Sequence, residues 1–166
     1  MRTFTLRPLA ADDAAAVAGL IRTAFAAQSV VTDPPPSALR VSEADVAAHL
    51  RSGGGAVAEL GEMGAVIAGS ALWSGQAGGL YLSRLAGAPA WRGHGIARAL
   101  VAAAEAAARE QDLARVHLST RLALLDNRRL FAACGFVETT REAHPGYREA
   151  TFVNMEKRLV RRPPIR

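Results

Sequence analysis

Cysteine, lysine and long apolar runs are what this chain has least of. Its single cysteine, Cys134, excludes an internal disulfide. No uncharged apolar run approaches the roughly 18 residues that would suggest a membrane span. The alanine-rich stretch that begins at Ala97 is interrupted by Arg98, Glu105 and Arg109, so it reads as a soluble helix and no membrane partner is expected. The opening residues Met1-Arg2-Thr3-Phe4-Thr5 lack the apolar core of a secretory signal, which makes the cytoplasm the expected location. Four dispersed histidines, with no His-x-x-x-His and no cysteine pair, give no metal-ligand spacing, and no metal is expected. Aromatic residues are 5% of the chain and form no stacking platform. Without that platform or a basic helix, nucleic acid is not an expected partner.

What is present is arginine. Lys157 is the only lysine, so the net charge of +5 and the pI near 10.6 come almost wholly from guanidinium groups, and they bias the partners towards anions. A chain of 166 residues that is half hydrophobic suits one compact domain, expected over residues 1–160. Arg161, Arg162 and Arg166, with Pro163 and Pro164 between them, read as a short basic, frayed tail over 161–166.

The order of elements follows from periodicity. Phe4 and Leu6 alternate with Thr3, Thr5 and Arg7 as in a strand with one buried face. Asp12 or Asp13 then caps a helix whose apolar stripe is Val17, Leu20, Ile21, Ala24 and Phe25. Three prolines, Pro34 to Pro36, make residues 28–41 a stiff loop: either a plain connection or the rim of a substrate entrance. Ser42 and Asp45 resemble a capping box for a short second helix that stops at Gly53-Gly54-Gly55. Strands are expected over 56–60, 65–73 and 80–86, the first two joined by a hairpin around Gly61-Glu62-Met63-Gly64. In the third, Tyr81, Ser83 and Leu85 share one face, free to touch substrate, and Leu82 and Arg84 share the other. Gly87-Ala88-Pro89 ends it and should leave main-chain groups without a strand partner. A long helix over 96–111, a strand over 115–119, a helix opened by Asp126 or Asn127 and stopped by Gly135, and strands over 136–140 and 151–159 complete the chain.

The stretch Trp91-Arg92-Gly93-His94-Gly95-Ile96-Ala97 organises the rest, because it is a glycine turn that opens a helix after a strand. Free backbone N–H groups collect there at the positive end of a helix dipole, a ready site for phosphate or pyrophosphate. A dinucleotide fingerprint is the nearest competing pattern. It fails because position 98 is arginine and no acidic residue ends a following strand.

Two motifs in the same order on these elements are Arg92-Gly93-His94-Gly95-Ile96-Ala97 and, downstream, Asn127, Phe131 and Gly135-Phe136. With the strand and helix order, they make the chain similar to the GNAT superfamily of N-acetyltransferases over nearly its whole length. The resemblance implies a mixed α/β (α+β) fold: a central, mostly antiparallel twisted sheet of six to seven strands flanked by about four helices. It also implies acetyl-CoA as cosubstrate and direct transfer of the acetyl group to a primary amine of a small molecule or peptide. The pyrophosphate would sit on Arg92, Gly93, His94, Gly95, Ile96 and Ala97. The pantetheine arm would pair with the main chain of Leu85, Ala86 and Gly87, Asn127 would meet the arm near its thiol end, and Phe131 would also belong to the cofactor site. The late strands are where a homodimer would form.

The catalytic half is less plainly written. The tyrosine that many family members use as proton donor is replaced here by Phe131, which has no proton to donate. The place of a glutamate base in other members is held by Tyr81, a poor base when neutral. Tyr147 or His144, in a late turn, could take over the donor's part, and an alternative reading is a non-catalytic acetyl-CoA sensor. Cys134, which has no motif-linked base, and His117, set among apolar residues, read as structural.

Overall fold

The computed structural model describes residues 3–61, 66–160 and 165. The hairpin turn expected around Gly61–Gly64 and the basic tail fall largely outside these residues. Seven strands form one sheet: β1 (Phe4–Pro8), β2 (Gly54–Leu60), β3 (Val66–Gln76), β4 (Gly79–Gly87), β5 (Arg115–Arg121), β6 (Val137–Glu142) and β7 (Phe152–Arg158). Their spatial order is β1-β2-β3-β4-β5-β7-β6. Every neighbouring pair is antiparallel except β4–β5, which is parallel. Four helices cover the sheet: α1 (Ala14–Ala26), α2 (Glu43–His49), α3 (Ile96–Glu110) and α4 (Leu125–Ala133).

Each face has its own core. Val17, Ala18 and Ile21 of α1 and Val46 of α2 bury against Val57 and Leu72 on one side. Ile96, Leu100, Val101, Ala104 and Ala108 of α3 bury against Ala58, Leu80, Leu82 and Val116 on the other. These five positions recur at helical spacing, so α3 buries a single apolar stripe. Full burial of a side chain such as Leu100 contributes about 1.5–3 kcal/mol. Small alanines on both partners let α3 lie close to the sheet.

Three local expectations are corrected. The carboxylate of Asp13 makes no capping bond to α1; it accepts from Ala10 N–H at 2.8 Å and from Arg7 Nη1 and Nη2 at 2.7 Å each, tying β1 to the start of the helix. Gly54 and Gly55 are not part of a helix stop: α2 ends at His49 and those two glycines already pair with Trp73 and Leu72 in the sheet. The α4 helix opens at Leu125 with Leu124 as its N-cap, so Asn127 lies inside its first turn. The Ser42–Asp45 capping box is present as read, with Asp45 N–H donating to Ser42 Oγ at 3.1 Å and Ser42 N–H to Asp45 at 2.9 Å.

The feature that creates the site is an irregularity in β4. Ser70 pairs with Ala86, but Leu72 pairs with Ser83, so Arg84 and Leu85 together face one residue of β3. This is a β-bulge, and Arg84 sits in it at φ 51°, the left-handed region that a branched backbone position rarely adopts. The bulge reverses the strand's alternation. Leu80 and Leu82 pack towards α3, whereas Ala86 packs towards α1 and α2 and Leu85 leans on the α3 side. The two-face pattern expected for 80–86 therefore holds only as far as Ser83.

Candidate active site

After Tyr81, just ahead of the bulge, β4 parts from its parallel neighbour. The β4–β5 ladder ends at Leu80↔Val116 and Tyr81↔His117, while β4 continues to Gly87. A bulge bends the strand that carries it, and the bend opens a gap between β4 and β5. The expectation that Gly87-Ala88-Pro89 weakens pairing and leaves its main chain without a strand partner is corrected. Gly87 still pairs with Gly69, and Ala88 N–H donates to the Ala68 carbonyl at 2.7 Å; the open edge is the one that faces β5.

Two adjoining clefts occupy this gap. The first, about 790 Å³, runs along Leu85, Ala86 and Gly87 to the turn before α3. Of the turn residues, Arg92, Gly93, Gly95, Ile96 and Ala97 line it. Gly93 and Gly95 stand at φ 80° and 82°, and Gly95 is the N-cap of α3 with no side-chain cap on the helix. A Cβ at either would meet no protein atom within 4 Å, so the space in front of these amides belongs to the cleft. Uncapped N–H groups of a 15-residue helix facing such a space suit an anionic group.

His94 does not line the cleft. Its Nδ1 lies 3.0 Å from the Trp91 carbonyl and 3.1 Å from the Arg92 carbonyl, and its ring packs on Trp91 with centroids 5.0 Å apart. Two acceptors around Nδ1 mean that this nitrogen carries the proton, and the ring serves to hold the turn. Arg92 also braces the turn, donating to the Ala27 carbonyl at the end of α1 at 3.1 Å.

The second cleft, about 690 Å³, shares Phe25, Gln28, Leu85, Leu124 and Asn127 with the first. Asn127 therefore stands at the junction. Tyr81, Phe131 and His144 line the second cleft, and so do Arg84, Arg121 and Ser37. Phe131 is buried and meets Phe136 edge-on at 5.9 Å, which makes it a wall. Tyr81 leans on His117, 5.2 Å between centroids, and His117 is satisfied by the Gln76 carbonyl at 2.9 Å from Nε2. His144 is fixed by Thr151: its N–H donates to Oγ1 at 3.0 Å and its Nδ1 shares a hydrogen bond with the same hydroxyl. Burial, with Arg121 nearby, holds the His144 imidazole below its ordinary range, which favours the neutral ring.

Tyr147 lines neither cleft. Its hydroxyl donates to Asp33 Oδ1 at 2.6 Å, a bond that raises the phenol above its ordinary range and so keeps the proton on the tyrosine. The Cys134 thiol is pushed up by burial, in keeping with an inert side chain. Among the described residues no group of three or more His, Cys, Asp or Glu side chains could hold a metal ion, and no helix is long and apolar enough to cross a membrane.

Arg84, Arg121 and Ser37 were not singled out from the sequence. Alternation assigns Arg84 to the helix-packing face, and only the bulge turns it into the cleft. Arg121 lies past the expected end of its strand at Ser119, but β5 continues to Arg121 in register with β7. The proline loop does supply a rim, through Pro36 and Ser37.

This splayed sheet, with a glycine turn and helix N-terminus at the end of the gap, is the architecture of an acetyltransferase. The chain matches the model of the acetyltransferase (GNAT) family over residues 21–136, more than half its length, and it belongs to that family. Among solved structures it is similar to the ribosomal-protein-S18-alanine N-acetyltransferase from Escherichia coli, with TM-score 0.75, 17% identity and 98% and 97% of the two chains covered. It is also similar to PaiA N-acetyltransferase from Thermoplasma acidophilum in complex with coenzyme A, with TM-score 0.75, 14% identity and 95% and 99% covered. A third is yncA from Salmonella typhimurium with its cofactor acetyl-CoA, with TM-score 0.72, 19% identity and 99% and 98% covered. At these identities the likeness is one of fold. No curated protein matches the sequence.

Proposed function

We propose that this chain is an N-acetyltransferase that uses acetyl-CoA and delivers the acetyl group directly to a primary amine. The observation that carries the reading is the open β4 edge at Leu85–Gly87 leading to the uncapped amides of α3, with a second cleft joined to it at Asn127. Acetyl-CoA supplies an activated thioester that the neutral amine attacks. The residues present fit it. The N–H groups of Gly93 to Ala97 would receive the pyrophosphate, and the main chain of Leu85, Ala86 and Gly87 would pair with the amide-bearing arm.

An ammonium group has no lone pair, so the acceptor must lose a proton first. His144 is the base this reading favours. Burial favours its neutral form, and with Nδ1–H given to Thr151 Oγ1 that form keeps a lone pair at Nε2. Tyr81 Oη takes the donor's part, because Phe131 cannot and the Tyr147 proton is engaged by Asp33.

Two measurements test the reading: release of free thiol from acetyl-CoA against a panel of amines, and calorimetry of CoA binding. Binding with turnover is expected. Binding without turnover on any amine would favour the sensor alternative, and absence of CoA binding would defeat both readings.

A further inference from the structure

The second cleft is walled by two arginines and by no carboxylate among the described residues. Arg84 Nη2 donates to Ser37 Oγ at 2.9 Å, and Arg121 Nη1 to the Pro34 carbonyl at 2.6 Å. Both acceptors are neutral and both belong to the proline loop. Neither guanidinium has an ion-pair partner within 4.0 Å among the described residues, whereas Arg7–Asp13, Arg115–Glu156 and Lys157–Glu105 are ion pairs elsewhere in the fold. The carboxylates nearest in effect are already engaged. Asp45 accepts from Ser42 N–H, and Asp33 accepts from the Tyr147 hydroxyl.

Two further observations mark this pair as built. Arg84 is held at φ 51° by the bulge, a conformation that is costly for any residue with a Cβ and that clusters at binding sites. Both guanidinium groups are also partly withdrawn from water, which disfavours their charge by more than the distant Asp45 and Asp33 restore. Each arginine uses one of its five donors in its bond to the loop, so a planar fork remains on each to meet an anion in two-point fashion.

Building on the acetyltransferase reading above, we infer that the acceptor is a small amine that also carries an anionic group, a carboxylate or a phosphate, and that Arg84 and Arg121 bind that group. A cleft with two cations and no carboxylate repels a polyamine or another polycationic acceptor and attracts the anion of a zwitterion. Its volume of about 690 Å³ suits a small molecule. The loop bonds then gain a second meaning: the arginines that hold Ser37 and Pro34 would seat the anion directly beneath the rim of the cleft.

The experiment uses the full chain with two readouts. The first is thiol release from acetyl-CoA with matched acceptors: free L-amino acids against their C-terminal amides, O-phosphoethanolamine against ethanolamine, and spermidine. The second is calorimetric binding of the same compounds to the CoA-loaded protein. At least a tenfold preference in kcat/KM for one anion-bearing member over its neutral partner is expected, and the pair that shows it tells carboxylate from phosphate. Arg84→Gln and Arg121→Gln should each lose about ten- to a hundredfold on the anion-bearing acceptor and much less on its neutral partner, with CoA binding and circular dichroism reporting that each variant folds.

Turnover that favours amides, ethanolamine or spermidine, or variants that fall equally on both members of a pair, would overturn the inference and leave acetyl transfer standing. Arginine-dependent binding of an anionic amine with no turnover would support the anion site and defeat the transferase reading instead. No preference in either readout would defeat the inference outright.

Discussion

Tyr147 and Asp33 lie 114 residues apart, and the phenol hydroxyl of one meets the carboxylate of the other at 2.6 Å. The bond ties the turn between β6 and β7 to the proline loop, so the rim of the second cleft is held from the far end of the chain. Two neighbouring bonds, Arg121 to Pro34 and Arg84 to Ser37, hold the same loop from below.

Tyr147→Phe separates a fastening role from a chemical one. It removes the bond and nothing else of size. The expected result is a rise in KM for the acceptor of about three- to tenfold with kcat within about threefold of the parent, because the loop loses one of its fastenings while the base and the cofactor cleft remain. A loss of a hundredfold or more in kcat at unchanged KM would instead make Tyr147 the proton donor.

The pH dependence of kcat/KM should report His144. Burial lowers its pKa, so the neutral, proton-accepting form persists below the ordinary histidine value, and the acidic limb of the profile should fall below pH 6.5. The sign for stability is the same. Since the unfolded chain binds the proton more readily than the folded one, stability contributed by the neutral ring is present above the unfolded pKa and is lost as pH falls through the folded value. His144→Gln should remove that acidic limb and lower kcat by about 10²–10⁴. A limb that survives the substitution rules His144 out as the base.

Gly95→Ala probes the cofactor turn. Gly95 is at φ 82°, where an added Cβ costs about 1–2 kcal/mol even though no protein atom stands in its way. The Cβ would also stand in the space before the α3 amides. A tenfold or greater weakening of CoA binding by calorimetry is expected, with the acceptor KM little changed. If CoA binds equally well, the pyrophosphate does not sit against this turn.

What the chain disclosed by itself divides along the same line as the site. The order of strands and helices was legible because α3 and the strands keep clear periods, and the cofactor turn was legible because Gly93 and Gly95 stand between a strand and a helix. Those signals are local. The acceptor cleft was not legible, because its parts are fixed by contacts between distant segments. Arg84 changes face at a bulge defined by its register with β3, and nothing in residues 80–86 alone announces it. Arg121 enters through an extension of β5 that pairing with β7 sustains. Tyr147 looked available in its turn, and only the arrival of Asp33 from the proline loop engages it.

The sole lysine supplies the last prediction. Lys157 on β7 donates to Glu105 of α3 at 2.8 Å and to the Cys134 carbonyl at the end of α4 at 2.9 Å, so one ammonium joins a strand and two helices. Glu105 is 12% exposed at its side chain and Lys157 28%, which places the pair in the partly desolvated regime, where loss of one partner strands the other. Lys157→Met should therefore destabilise the fold by about 1–3 kcal/mol in urea or guanidinium titration, since a carboxylate remains in an apolar setting without its counter-charge. Adding Glu105→Leu to that variant removes the stranded charge, and the double variant should recover most of the loss because hydrophobic replacement of a buried pair is often neutral or better. A double variant as unstable as the sum of the two single ones would mean that the residues act independently and that the bridge between α3, α4 and β7 carries no coupling energy.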